Sequence, residues 1–168
     1  LWFGEYFDYN AAPDYWLTEI SGLPFGLMGE MLQDGGNPWR GMVFGMTGRL
    51  PWAGNPRPMW KAWDQVGLAS SRMIGFWVPA SPIRTGRDDV LATAYVQEER
   101  TVVAMASWAK EDVEVRPAID WKALGLDPTR VRIIAPGIEG FQEARTFGVG
   151  EPILVQPGKG WFLVLQVS

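Results

Sequence analysis

The chain contains no histidine and no cysteine among its 168 residues. Without histidine it can build no Ser-His-Asp triad, no His-ligated zinc site and no imidazole base. Without cysteine, thiol nucleophiles, thiolate metal sites and disulfides are excluded, and the redox compartment stays open. No apolar run approaches the roughly 20 residues that span a bilayer, and no signal peptide is visible. Positive charge is also in short supply: 15 Lys and Arg stand against 19 Asp and Glu, a net charge of −4. That balance argues against nucleic acid or an anionic membrane as the main partner. Proton transfer is left to carboxylates, with lysine and tyrosine as lesser options. No cofactor and no metal is expected.

What the chain has in excess is aromatic: ten Trp, eight Phe and four Tyr. Such side chains fill cores, and they also line sugar-binding clefts, because a pyranose face stacks on a flat ring. At 47% hydrophobic and 20% charged, the composition is ordinary for a soluble fold with a real core. The length suits one domain or two small ones. The sequence begins at Leu1, without a methionine, directly in strand-like residues. The expectation is a fragment or processed chain whose address label lies upstream, so its compartment is left open.

The stretch from Phe25 to Gly41 carries the sharpest signal. Phe25 to Leu32 is a short apolar run with one carboxylate, Glu30, near its end. Asp34-Gly35-Gly36 breaks it, and Asn37-Pro38 reads as an N-cap followed by proline at the first helical position. A lone acid near the end of an apolar strand is costly unless it faces a polar cavity. In a (β/α)8 barrel that end of the strand is where the chemistry sits. The plainer reading is a Glu30 that tops the strand and pairs with Arg40. Leu1 to Tyr9 repeats the plan, an apolar start leading to Glu5 and Asp8. Between the two, Pro13 to Ile20 suits a short helix. Strand, helix and strand in thirty residues make a βαβ unit with parallel strands. Glu5 and Glu30 then face a shared rim.

Further on, a helix is expected from Pro38 to about Arg49, with Gly41, Gly45 and Gly48 on a face pressed against a sheet. A third helix starts at Asn55-Pro-Arg-Pro58, carries Met59, Trp63 and Val66 on one face as an amphipathic packing helix, and stops at Gly67. Met73 to Val78 reads as a strand. After the proline- and glycine-punctuated connection from Pro79 to Arg87 come short β runs at 89–97, 101–109, 113–118, 131–135, 153–156 and 161–167. Glu98 to Arg100, Lys110 to Asp112 and Pro157 to Gly160 read as hairpin turns. Asp120 to Gly125 is one helical turn with an aspartate cap and a glycine stop. Strands at this spacing describe an antiparallel sandwich.

The order of parts resembles the tail of a glycoside hydrolase. Leu1-Trp-Phe-Gly-Glu5-Tyr-Phe-Asp8-Tyr9, Phe25-Gly-Leu-Met-Gly-Glu30-Met-Leu and Asn37-Pro-Trp-Arg-Gly-Met are similar to stretches of family-123-like glycoside hydrolases. Val90 to Tyr95, Val102 to Ala109, Ile119 to Leu126 and Pro157 to Trp161 look like the sandwich that follows the barrel in many such enzymes. The resemblance implies an α/β plus all-β chain: the last βα units of a (β/α)8 barrel over 1–80, then an antiparallel β-sandwich over 81–168. It also implies that most of the barrel is missing, since a whole one takes about 250 residues.

Two functions of different class follow. The first is part of a glycosidase acting on a carbohydrate substrate through carboxylate acid/base chemistry, inactive as an isolated fragment. Glu30 is the first candidate, because an apolar strand raises a carboxyl pKa and suits it to general-acid work. Glu5 is its partner and Asp8 the substitute, unless the true partner lies upstream. These roles rest on position along the strands, not on the resemblance. Tyr9, Trp16 and Trp39 are candidate sugar platforms, with Arg40 a further substrate-binding candidate. The alternative is a non-catalytic carbohydrate-binding or structural β-sandwich.

Overall fold

The structure is a computed structural model, and it describes residues 29–30, 37–47, 55 and 57–167; at 29, 30, 46 and 47 the description is of the backbone alone. The expected strand at 1–9 and helix at 13–20 lie outside the described residues. Strand β1, Gly29–Glu30, pairs in parallel with β2, Met46–Thr47, in the register Glu30 to Thr47. Helix α1, Pro38–Val43, lies between them in sequence. Parallel neighbours need such a crossover, because a tight turn can only reverse the chain.

Helix α1 is shorter than its glycines suggest. It stops at Val43, and Gly45, at φ +76°, turns the chain into β2. The reason lies far away in sequence. Thr93 Oγ1 donates to the Val43 carbonyl at 2.7 Å, and the Tyr95 hydroxyl donates to that of Met42. Carbonyls at a helix end lack intrahelical donors, and here strand side chains supply them. Helix α2, Arg57–Val66, lies where it is expected: Met59 and Trp63 are buried, Val66 is half-buried, Ala62 is buried as well, and Gly67 ends it in the left-handed region at φ +66°. A sheet side chain again satisfies the helix end, with Gln97 Nε2 donating to Val66 O at 2.9 Å and Gly67 O at 3.1 Å.

The rest is an antiparallel sandwich. Strands β3 (Arg72–Ile74), β4 (Ile83–Arg84), β5 (Val90–Val96), β6 (Arg100–Ser107), β7 (Val113–Val115) and β8 (Ala118–Ile119) precede the one-turn helix α3, Trp121–Leu124. Then come β9 (Val131–Ala135), β10 (Arg145–Phe147), β11 (Ile153–Val155) and β12 (Gly160–Val167). The main sheet has the order β10-β9-β12-β6-β5-β3, antiparallel throughout. Two ladders, β11-β7 and β4-β8, form the opposing layer. Val103, Met105, Leu163 and Leu165 face that layer and pack with Ile83, Phe147, Ile153 and Leu124. Their alternates Val102, Ala104, Ala106, Phe162 and Val164 face α1 and α2 and pack with Trp39, Met42, Val43, Met59 and Trp63. Because both faces are covered, β6 and β12 read as nearly unbroken apolar runs rather than as alternating ones.

Several expectations are corrected. The strand foreseen at 73–78 ends at Ile74, where Val78 N–H closes a turn on Gly75 O at 3.0 Å. Trp77 folds back so far over Gly75 that a Cβ there would lie 2.4 Å from its ring. The 113–118 run divides at Arg116-Pro117 into β7 and β8; proline has no N–H to give a ladder. Glu98 to Arg100 is the hairpin foreseen, with Gln97 N–H bonded to Arg100 O at 2.9 Å. The other two turns are not hairpins. Residues 110–112 and 157–160 carry the chain between layers, since β7 pairs with β11 and β12 with β6 and β9. Strands β4 and β10 are additional. Helix α3 is as foreseen: Asp120 accepts from Ala123 N–H at 3.0 Å, and Gly125 closes it at φ +68°.

Candidate functional site

Of the carboxylates singled out by sequence, Glu5 and Asp8 lie outside the described residues, as do Tyr9 and Trp16. Glu30 is located through its backbone, at the end of β1 beside Thr47. Its expected pairing with Arg40 and the shared rim with Glu5 lie outside what is described. Seven residues further on, Asn37 caps α1: its Oδ1 accepts from Arg40 N–H at 3.0 Å, and Pro38 occupies the first turn. The other end of the same amide, Nδ2, donates to Gly158 O at 2.8 Å. The start of α1 is thereby clasped to the turn between β11 and β12.

Arg40 and Trp39, next on the helix, are both interior. Arg40 is 7% exposed, and its Nε and Nη2 donate to Ser107 O at 3.0 and 2.9 Å. Its guanidinium carbon also lies 4.8 Å from the centre of the Trp108 ring. A buried arginine needs such company, because an uncompensated charge in the interior is costly. Trp39 is 6% exposed. Phe141 leans on it at 5.8 Å, and the Lys159 ammonium lies 4.8 Å over its ring. Its seat exists because position 160 is glycine. A Cβ there would fall 2.9 Å from Trp39 Cδ1 and 1.8 Å from Met105 O. With Thr93 and Tyr95 on the last carbonyls, α1 is held to the sheet at its start, middle and end. Burial pushes the Tyr95 phenol above its ordinary range, so its proton stays on the hydroxyl that holds Met42.

Trp39 forms the inner wall of an open cleft of about 700 Å³ between the 137–143 loop and the 156–161 segment. Phe141 and Trp161 are its half-buried aromatic walls, and Lys159, Gln156, Glu139 and Glu143 are exposed on its rim. The loop is tied down by Gln142, whose Nε2 donates to Pro136 O and Phe162 O and whose Oε1 accepts from Phe162 N–H. Trp161 Nε1 donates to Leu154 O at 2.8 Å, while Phe147 meets its ring at 5.3 Å and 84°. Gly148 N–H and Arg145, whose guanidinium lies over the Phe147 ring, hold the Glu151 carboxyl below its usual range. Sequence reasoning singled out Trp39 from this cleft and missed the others. The available signal was a pair of glycine-aromatic steps, Gly140-Phe141 and Gly160-Trp161, each at a chain reversal.

Two family models match. The first, described as "Glycoside hydrolase 123, TIM-barrel domain", matches residues 1–51. The second, "Glycoside hydrolase 123, C-terminal domain", matches residues 55–166. Strands β1 and β2 with α1 thus fall under the barrel model, and α2 with the sandwich under the other. No curated protein matches the chain.

Proposed function

This chain belongs to glycoside hydrolase family 123, and from that premise we propose that its chemistry is carboxylate acid/base cleavage of a glycan, with Glu30 as one of the two acting groups. The observation that carries the reading is the setting of Glu30. It ends a strand paired in parallel with its neighbour, and a helix begins eight positions later, at Pro38, in the strand-then-helix order of a barrel. Strand ends on that face of a (β/α)8 barrel hold the reacting groups.

Glycoside hydrolysis takes two carboxyl groups on either side of the bond, about 5–5.5 Å apart for retention and roughly 6.5–9.5 Å for inversion. In this proposal the Glu30 carboxyl gives its proton to the glycosidic oxygen as the bond to the anomeric carbon breaks. The second carboxylate, Glu5 with Asp8 as substitute, either attacks that carbon or takes a proton from the attacking water. Tyr9 and Trp16 are the proposed ring platforms. Trp39 and Arg40 act from beneath, fixing the start of α1.

Glu30→Gln, assayed in protein bearing a complete barrel, tests the reading. Glutamine keeps the shape but cannot exchange the proton, so a loss of about 10²–10⁴-fold in turnover is expected with the fold intact. A substrate with a good leaving group should recover much of the rate if Glu30 is the acid, since that group needs no proton. Turnover within a few-fold of wild type on both substrates would remove Glu30 and move the assignment to Glu5.

A further inference from the structure

The cleft beside Trp39 contains none of the carboxylates assigned to the reaction, yet it is built like a binding site. Its aromatic walls are ordered before any ligand arrives. The Trp161 ring is fixed by its N–H bond to Leu154 O and by the edge contact with Phe147, and Phe141 is fixed by Trp39. A ring that is already immobile loses no rotamer freedom on binding. The rim mixes one ammonium, Lys159, with the amide of Gln156 and the carboxylates of Glu139 and Glu143. Gln142 is not part of that polar set, because Phe162 and Pro136 occupy its amide. The volume of about 700 Å³ sits inside the roughly 300–1,000 Å³ range of small-molecule sites.

We infer that this cleft is a non-catalytic saccharide subsite on the sandwich, taking neutral pyranose units of a glycan chain. Pyranose faces lie against Trp161 and Phe141, and hydroxyls bond to Lys159, Gln156, Glu139 and Glu143. The rim chemistry selects the class. Both signs of charge stand together, so a polyol that donates and accepts is matched, whereas an anion meets two carboxylates and a cation meets the lysine. The location adds a second argument. The Asn37 amide fastens the 157–160 turn to the start of α1, and seven extended residue steps span at most about 25 Å. Asn37 is therefore no further than that from Glu30, a distance that a short oligosaccharide bridges. The subsite is thus placed to hold a distal part of the glycan whose bond is cut at the barrel, and in that respect it rests on the glycosidase reading above.

The test is an NMR titration of the 168-residue chain with neutral trisaccharides of glucose, galactose and N-acetylglucosamine, carried to about 20 mM so that millimolar binding is visible. At least one should shift the Trp161 indole signal together with the Phe141 and Lys159 amides, leaving helix α3 unmoved. Trp161→Ala should weaken that binding by about tenfold or more, as truncation of a central aromatic anchor does. Should that variant fail to fold, Phe141→Ala and Gln156→Ala are read in its place, and each should weaken binding. Absence of shifts with all three sugars, shifts confined elsewhere, or unchanged binding in the folded variants overturns the subsite. If Glu30→Gln abolishes turnover while the cleft fails to titrate, the subsite alone is wrong. If the cleft titrates while Glu30→Gln stays fully active, the catalytic assignment alone is wrong.

Discussion

Asn37 and Gly158 are 121 positions apart, and a single 2.8 Å hydrogen bond from side-chain amide to carbonyl joins them. The same amide caps α1 through Arg40 N–H. One side chain therefore starts a helix matched by the barrel model and fastens it to a turn of the sandwich. Among the described residues no strand pairing joins the two there, and side chains such as Asn37 make the joint.

Replacing Asn37 separates the two roles. Asn37→Ala loses both bonds and should cost about 2 kcal/mol, roughly 1 for the cap and 1 for the clasp. Asn37→Asp keeps the cap acceptor but faces Gly158 O with a carboxylate, so it should lose about 1 kcal/mol. Urea midpoints with unchanged slope would measure both. An aspartate variant as stable as the parent would show that the clasp contributes nothing.

Arg40 should not tolerate lysine. Its fork places two N–H groups on Ser107 O while its plane lies by Trp108, a geometry that an ammonium cannot copy. Arg40→Lys is expected to cost about 2 kcal/mol and Arg40→Ala about 3 kcal/mol or more, because Ser107 O is buried with them. A lysine variant melting with wild type would mean that charge alone matters at this position.

Tyr95 gives a pH signature. Burial holds its phenol above the ordinary 10.0, so the unfolded phenol ionises first. The stabilisation from this group is complete below about pH 10 and is lost as pH rises beyond it. Tyr95→Phe should lower stability at neutral pH by about 1–3 kcal/mol, since Met42 O loses its donor. The variant should also show a shallower alkaline decline than the parent. Equal alkaline slopes in the two proteins would contradict the buried, protonated phenol.

Among the described glycines, Gly160 is the one where a new methyl, as in Gly160→Ala, would come nearest to backbone, 1.8 Å from Met105 O. Its Cβ would meet Met105 O, which is backbone and cannot step aside. A loss of about 3 kcal/mol or more is expected, at or above the usual range for overpacking. Because Trp39 touches the same atom, its near-UV circular dichroism should change as well. A variant with parental stability and spectrum would remove the close approach of β12 to β6 as a constraint.

Local rules in the sequence reached some of this and stopped where distant residues decide. The cap at Asp120 with its stop at Gly125, and the Glu98 to Arg100 hairpin, need only neighbours in the chain, and both were legible. The end of α1 was not, because Thr93, fifty positions on, takes the Val43 carbonyl. Nor was the short β3, which stops where Trp77 packs over Gly75. Trp39 was singled out from composition and position as a candidate sugar platform, and the structure buries it at the inner wall of the cleft. Its companions Phe141, Trp161 and Lys159 were not singled out, because their cleft exists only when two reversals twenty residues apart are brought together by β12 and the side chain of Gln142.

The position of β12 has a consequence for how the protein is made. It is the last of the described strands in sequence, yet it sits in the middle of the main sheet, between β9 and β6. While a ribosome is still translating residues before 160, β6 and β9 each present an open edge with no common neighbour. Turn 157–160, to which Asn37 must fasten, does not yet exist either. The sheet cannot close and the barrel helix cannot seat until Gly160–Val167 has emerged, so folding waits on pairing remote in sequence and is slow for that reason. During that interval the two open edges are templates for other chains. Nascent protein should accordingly depend on chaperones in proportion to how long translation pauses before β12.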